Sequence, residues 1–364
     1  MNLVKLVLEN GETFIGKSFG KFTERVGEIV FNTSMVGYQE ILSDQSYNEQ
    51  FVVMTYPLIG NYGLTDEDYE SKFPTIGGFV VRDVNHKPSN FRYTKTLSDV
   101  MYEHSIPGIY DIDTRKLTRI IRDKGSMVSI MTPLETPYQE CIDKIRRYNY
   151  PTNQIQEVTT RKIWHSKTSN YKYNVVAIDC GIKQNIIRKL NEKDCNVTIV
   201  PYGTTSNEII TYEPDGIFLS NGPGDPVNAQ AVIKNVQELQ QHIPIFGICL
   251  GHQIIALANN AKTYKLKFGH RGGNHPVMNL ENGKVEITSQ NHSYTVDEKS
   301  LEGTGLIATH TNILDHTIEG LRSKSNLTFS VQYHPESAPG PHDSDYLFDI
   351  FIKNIKSYRG DSNA

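Results

Sequence analysis

Gly247-Ile248-Cys249-Leu250-Gly251-His252-Gln253 is the stretch on which the fold turns. An apolar strand, Ile243–Ile248, leads into it, and helical sequence, Gln253–Ala258, leads out of it. Gly-x-Cys-x-Gly between a strand and a helix is the thiol form of a nucleophile elbow. Its glycines permit a sharp turn that pushes the central side chain toward a substrate carbonyl. A helix N-terminus beside the sulfur favours thiolate over thiol, and the backbone N–H groups there can hold an oxyanion. A cysteine between glycines is also a common small hydrophobe in a tight turn, so catalysis requires partners from elsewhere in the chain.

Around this elbow the pattern is regular. Val175–Asp179, Val197–Val200, Gly216–Leu219 and Ile243–Ile248 read as short apolar strands. Between and after them Ile182–Asn191, Ser206–Tyr212, Ala229–His242 and Gln253–Asn259 read as helices. This alternation predicts an α/β domain built on an open, mostly parallel sheet with helices on both faces. Ligands in such sheets bind at the carboxyl ends of the strands, where Cys249 and the loop Ser220-Asn221-Gly222-Pro223-Gly224-Asp225-Pro226 both fall. The stretch Val277–Val331 is richer in β signals, and a last helix covers Tyr346–Tyr358. Upstream, residues 151–172 turn polar and are expected to be a linker, separating a 173–364 domain from a smaller, mixed α/β domain at 1–150.

The N-terminal part holds a lookalike. Gly11-Glu12-Thr13-Phe14-Ile15-Gly16-Lys17-Ser18 fits the phosphate-binding pattern Gly-x4-Gly-Lys-Ser, which needs a helix opening at the Lys-Ser pair. Leu3–Leu8 reads instead as a strand, Glu9-Asn10-Gly11 as a hairpin turn, and Thr13–Lys17 as the returning strand. Further on, Asp113 or Thr114 can cap a helix through Arg122. Its Leu117, Ile120 and Ile121 share one face, leaving Arg115, Lys116 and Arg119 for solvent or a partner.

Composition narrows the function classes. Lys and Arg number 37 against 41 Asp and Glu, a net charge of -4, which gives no basic stripe for nucleic acid and no polybasic membrane patch. The 4 cysteines lack the paired short spacing of a disulfide framework or zinc site, and His270 and His275 lack metal-ligand company, so no metal is expected. No leader or membrane span is read, which predicts a cytoplasmic protein.

The partners of the thiol come from far along the chain. Phe329–Tyr333 is a strand, and His334-Pro335-Glu336 follows at its carboxyl end. His334 there can accept the thiol proton while Glu336 takes the other ring N–H and fixes the tautomer. On spacing alone, a histidine bonded to backbone at a strand end is an equal reading.

The combination of Gly247–Gln253, Ser220–Pro226 and His334-Pro335-Glu336 resembles the class I glutamine amidotransferases. Phe31–Leu42, Asp111–Arg119, Phe268–Pro276 and Ser337–Asp343 further resemble the family of small, glutamine-hydrolysing subunits of carbamoyl phosphate synthetase, over nearly the whole chain. The resemblance implies a Cys249, His334, Glu336 triad acting on L-glutamine through a thioester. It implies an oxyanion hole from the N–H groups of Leu250 and Gly222. Gln253, Gly224, Asn291 and Ser46, with the backbone of Ser293 and Tyr294, are implied to hold the glutamine. That family has Gly-Phe where this chain has Ser293-Tyr294, a change that is tolerable provided position 293 needs no positive φ.

The resemblance also implies a partner, a large subunit that makes carbamoyl phosphate from bicarbonate and ATP for pyrimidine and arginine biosynthesis. The pair would form a heterodimer or an assembly of heterodimers. No cofactor is expected in this chain, with ATP and Mg on the partner, and the N-terminal domain is then a docking module with its Arg115–Arg122 face as a candidate contact. Two other readings compete: an amidotransferase for another synthesis, against which the N-terminal segments speak, and a non-enzymatic scaffold, disfavoured by the retained triad.

Overall fold

The computed structural model describes residues 2–324 and 327–361 and divides into two units. One is Met1–Pro151 with Lys267–Arg271; the other is Thr152–Leu266 with Gly272–Ala364.

In the first unit the chain runs β1 (Leu3–Leu8), β2 (Thr13–Gly20), β3 (Arg25–Asn32), α1 (Tyr38–Ser43), β4 (Phe51–Met54), β5 (Leu58–Ile59), β6 (Gly78–Val80), β7 (Asp83–Val84), α2 (Leu97–Glu103), β8 (Pro107–Tyr110), α3 (Thr114–Lys124), β9 (Met127–Pro133) and α4 (Tyr138–Arg146). Seven of these strands close a barrel in the order β1-β2-β8-β6-β4-β3-β9. Strand alternation sorts the apolar residues. Ile29, Phe51 and Val53 join Leu6 and Met131 in one cluster, whereas their neighbours Val30, Val52 and Met54 pack against Tyr38, Ile41 and Leu42 of α1 and Leu97, Val100 and Met101 of α2. The phosphate-loop lookalike is a hairpin: Gly11, at φ 89, turns β1 into β2, and Lys17 sits on strand β2 with its ammonium 2.9 Å from Asp111.

Asp113 caps α3, its carboxylate accepting the Lys116 N–H at 2.8 Å. Leu117 and Ile121 are buried, and Arg115, Arg119 and Arg122 are exposed along the outer face. There they line, with Thr55 and Thr118, a surface cleft of about 540 Å³.

The second unit continues with α5 (Gln154–Val158), β10 (Trp164–Ser166), β11 (Tyr173–Asp179), α6 (Gln184–Glu192), β12 (Cys195–Pro201), α7 (Ser206–Ile210), β13 (Gly216–Leu219), α8 (Gln230–Leu239), β14 (Ile245–Ile248), α9 (Leu250–Ala258), β15 (Thr263–Asn279), β16 (Val285–Val296), β17 (Leu306–Asn312), β18 (Ile318–Ser323), β19 (Phe329–Val331) and α10 (Tyr346–Arg359). The sheet order is β10-β12-β11-β13-β14-β19-β18-β17-β15-β16. The centre, β12-β11-β13-β14-β19, is parallel, and it is buried on both faces. Val175 and Ala177 face Ile186, Leu190 and Phe351, whereas Val176 and Ile178 face Val232, Val236 and Ile254. Antiparallel strands β18 and β17 extend it beyond β19, which is the β-rich stretch read from the sequence.

The stretch 151–172 differs from its reading as a linker. Helix α5 buries Ile155 and Val158, and β10 pairs antiparallel with β12 through Trp164↔Ile199. Two apolar residues three apart are enough to dock a helix of 5 residues, but too few to stand out in a polar stretch.

Candidate active site

Cys249 lies between the end of β14 and the first residue of α9, at φ 55 and ψ −102. A side chain costs about 1–3 kcal/mol in such a backbone, so the surroundings must enforce it. They do so from three sides. The Cys249 N–H donates to Val331 O at 2.9 Å, the Cys249 carbonyl accepts the N–H groups of His252 and Gln253 at 3.1 and 3.2 Å, and Gly251 N–H donates to Ser220 O at 3.1 Å. The two glycines are required by space: a Cβ on Gly247 would lie 2.7 Å from the Gly251 carbonyl, and one on Gly251 only 2.4 Å from Leu219 O. The turn does not leave the sulfur on an open surface. Cys249 is 2% exposed, and its Sγ lies 3.5 Å from Asn291 O on β16.

His334 arrives on the neighbouring strand. β14 and β19 pair in parallel, Gly247↔Ser330 and Ile248↔Val331, so both chain exits lie at the same end of the sheet. His334 N–H donates to Ser289 O at 2.8 Å, which ties the segment to β16. The ring meets Glu336: His334 Nδ1 is 2.7 Å from Glu336 Oε1. Glu336 is fully buried, which by itself would raise its pKa. The His334 ring and the Lys183 ammonium outweigh this and hold the carboxyl down to about 2. The carboxylate is therefore charged and faces the Nδ1 edge of the ring, so Nε2 is the nitrogen left to face a thiol. That buried Nε2 has no hydrogen-bond partner among the described residues.

Lys183 is a member of this group that sequence reasoning missed. It precedes α6, is 3% exposed, and places Nζ 3.2 Å from Glu336 Oε1 and 3.1 Å from Ala338 O. No motif marks it, and its contact with the segment after β19 reaches across two intervening strands, β13 and β14. Asn185 adds a side-chain hydrogen bond to the Glu336 carbonyl.

The other expected residues distribute as follows. Leu250 is the first residue of α9, so its N–H has no partner within the helix. Gly222 lies beside it, since an added Cβ would meet Leu250 Cδ2 at 2.8 Å and Cys180 O at 2.2 Å. Gly224 has φ 88 and abuts Gln154 of α5. Gln253 spends its side-chain N–H groups on Tyr294 O at 2.8 Å and Gln332 Oε1 at 3.0 Å, fixing the β16 segment that carries Asn291, Ser293 and Tyr294. Ser293 is not among the residues with positive φ, so serine fits that strand position. Ser46 belongs to the first unit, in the turn Gln45–Tyr47, where its N–H donates to Asp44 Oδ1 at 2.9 Å; it is not one of the residues that the second unit's own fold brings to Cys249. His252 is buried beneath the elbow with Nδ1 3.0 Å from Ser330 Oγ, and burial pushes its pKa down to about 3, so it is a neutral structural histidine.

Residues 6–131 match the family model described as carbamoyl-phosphate synthase small chain, CPSase domain, and residues 176–354 match glutamine amidotransferase class-I. The chain is 51% identical over 351 residues to the carbamoyl phosphate synthase small chain of Fusobacterium nucleatum, covering 96% of this chain and 98% of that one. It is 48% identical to the small chain of Bacillus caldolyticus, covering 97% of each. A third relative is the carbamoyl phosphate synthase pyrimidine-specific small chain of Lactiplantibacillus plantarum, 47% identical, covering 95% of this chain and 94% of that one.

Proposed function

The chain belongs to the carbamoyl phosphate synthase small-chain family, and from that premise we propose how its residues perform the glutaminase half of that enzyme's reaction. It is the glutamine-hydrolysing component. Cys249 Sγ attacks the side-chain amide carbon of L-glutamine, and its proton passes to His334 Nε2. The amide oxygen takes the negative charge, held by the N–H groups of Leu250 and Gly222, each worth about 3 kcal/mol when well placed. His334 then returns the proton to the departing nitrogen, the C–N bond breaks, and ammonia leaves a thioester on Cys249. Water, deprotonated by the same Nε2, adds to the thioester, and glutamate leaves as the thiol is restored. Glu336 keeps the ring in the required tautomer and stabilises its charged form, with Lys183 holding Glu336 ionised. Asn291, Ser293, Tyr294 and Gly224 frame the glutamine, with Gln253 fixing the Tyr294 carbonyl, and Ser46 joins them on its motif match alone.

The observation that carries this reading is the strained cysteine at the end of β14, one strand from a histidine whose Nδ1 is already bound to a carboxylate and whose Nε2 is open. The ammonia goes to a large chain that binds ATP and Mg and makes carbamoyl phosphate from bicarbonate for pyrimidine and arginine synthesis, in a heterodimer or an assembly of heterodimers. The exposed Arg115, Arg119 and Arg122 face is the contact assigned to that chain. Glutamate release by the wild type, Cys249→Ser and His334→Asn tests the chemistry. Loss of turnover in both variants with the fold retained supports it, and wild-type rates in Cys249→Ser overturn it in favour of a scaffold.

A further inference from the structure

We propose that Ser220 is a positioning residue for the oxyanion hole, its hydroxyl latching the peptide that joins Asn221 to Gly222. The inference rests on the thioester reading above, in which the Gly222 N–H receives developing negative charge.

Ser220 follows β13 directly and is fully buried. Its Oγ accepts the Cys180 N–H at 2.9 Å and donates to Asn221 O at 2.8 Å. A hydroxyl has one proton, so with a donor already facing its lone pair that proton is committed to the Asn221 carbonyl. The carbonyl of Asn221 and the N–H of Gly222 belong to one planar trans peptide, on opposite edges. Fixing the oxygen therefore fixes the direction of the N–H. Such a peptide is otherwise easy to rotate, because glycine on its C-terminal side accepts φ of either sign. The latch is braced at both ends. Asn221 Oδ1 accepts the Lys183 N–H at 3.3 Å, which joins this loop to the residue whose ammonium faces Glu336. Ser220 O accepts the Gly251 N–H at 3.1 Å, next to the second donor, Leu250. One buried serine thus holds the segments carrying both donors, its hydroxyl by Gly222 and its carbonyl by Leu250.

A packing role alone would lower stability without discriminating between ground state and transition state. A role in aiming the N–H has a different signature, because the donor matters only once the oxygen carries charge. The test compares full-length wild type, Ser220→Ala, Ser220→Cys and Ser220→Thr for glutamine kcat and KM. It adds inhibition by the γ-aldehyde of glutamate. With that probe the Cys249 Sγ–carbon bond forms as the C=O π bond opens, and the oxygen receives the charge in the hole. Ser220→Ala is expected to lower kcat 10- to 100-fold, somewhat less than outright loss of a donor. KM should stay within about 2-fold and aldehyde affinity should fall by the same factor as kcat. Ser220→Thr should restore both. Should Ser220→Ala fail to fold by near-ultraviolet circular dichroism, Ser220→Cys decides, since it keeps the volume with a poor hydrogen-bond donor and should show the same paired losses. Unchanged or raised kcat in the folded variant, or a kcat loss with aldehyde affinity intact, overturns the proposal. Glutamine turnover retained by Cys249→Ser at the wild-type rate is a separate result that overturns the thioester reading itself.

Discussion

Gly251→Ala isolates the steric demand of the elbow. Gly251 lies inside α9 without positive φ, so alanine suits its backbone and only space opposes the change. The new Cβ would lie 2.4 Å from Leu219 O, 2.8 Å from Leu219 Cβ and 3.0 Å from Leu219 C. Leu219 sits on β13, paired on one side to β11 and on the other to β14, so that carbonyl cannot yield cheaply. Restoring an ordinary contact moves the start of α9 by about 1 Å, the scale of displacement that costs roughly 100-fold when a reacting group is misplaced. Overpacking costs about 1–3 kcal/mol, and alanine's helix preference returns up to about 1 kcal/mol, leaving a net loss on the order of 1–2 kcal/mol. The control is Gly203→Ala, where a Cβ meets nothing within 4 Å and φ is not positive; stability there should be unchanged or up by less than about 1 kcal/mol. The assay is glutamate release, with thermal unfolding measured in parallel. Wild-type kcat in Gly251→Ala would refute the claim that close approach of helix and strand sets the position of the thiol and of the Leu250 N–H.

Three further outcomes are expected. Burial holds the pKa of His252 near 3 and that of His310 near 4, against 6.5 when exposed, so the unfolded chain binds these protons first as pH falls. Their contribution to stability is complete above pH 6.5 and is lost progressively below it, by about 1.4 kcal/mol per pH unit per histidine, down to each folded pKa. Urea midpoints at pH 7.5 and pH 5.0 check this, and equal midpoints contradict it. Glu336→Gln keeps the shape of the triad but removes the charge that orients His334, and kcat should fall by 10²-fold or more, as estimated from triads of this kind; a loss under about 3-fold would deny the carboxylate its role. Glutamine hydrolysis by the isolated chain should rise when the large chain is added, and Arg115→Glu with Arg119→Glu should weaken that response while leaving the isolated rate alone. An unaltered titration curve for the double variant would move the docking face elsewhere.

The legible parts of this molecule were those coded by adjacent residues. The strand, elbow and helix around Cys249 follow from one apolar run, two glycines and a second apolar run, and the hairpin at Gly11 follows from its turn chemistry. Closure of the barrel was not legible, because pairing β1 with β9 depends on strands that are remote in sequence. The same limit hid Lys183 and Ser220. The contacts of Ser220 arise because the sheet order sets the exits of β11, β13 and β14 side by side, and Lys183 reaches Glu336 across two intervening strands. Helix α5 escaped because its apolar signal is two residues long. Gln253 is marked by its place in the motif, but the use of its amide on the Tyr294 carbonyl is not written in any neighbouring residue.

The division of the chain bears on how the protein is made. The first unit leaves the ribosome early, yet Lys267–Arg271, with Phe268 stacked on Phe31 at 5.8 Å, belongs to it and is synthesised only after Thr152–Leu266. The seven barrel strands, all within residues 3–133, are made before then, but the unit lacks the Phe268 contact until this later segment arrives. Two halves separated at Pro151 would each be missing or carrying a piece of the other, so a nascent chain stalled short of Arg271 should be more open to proteases than one released a few residues later.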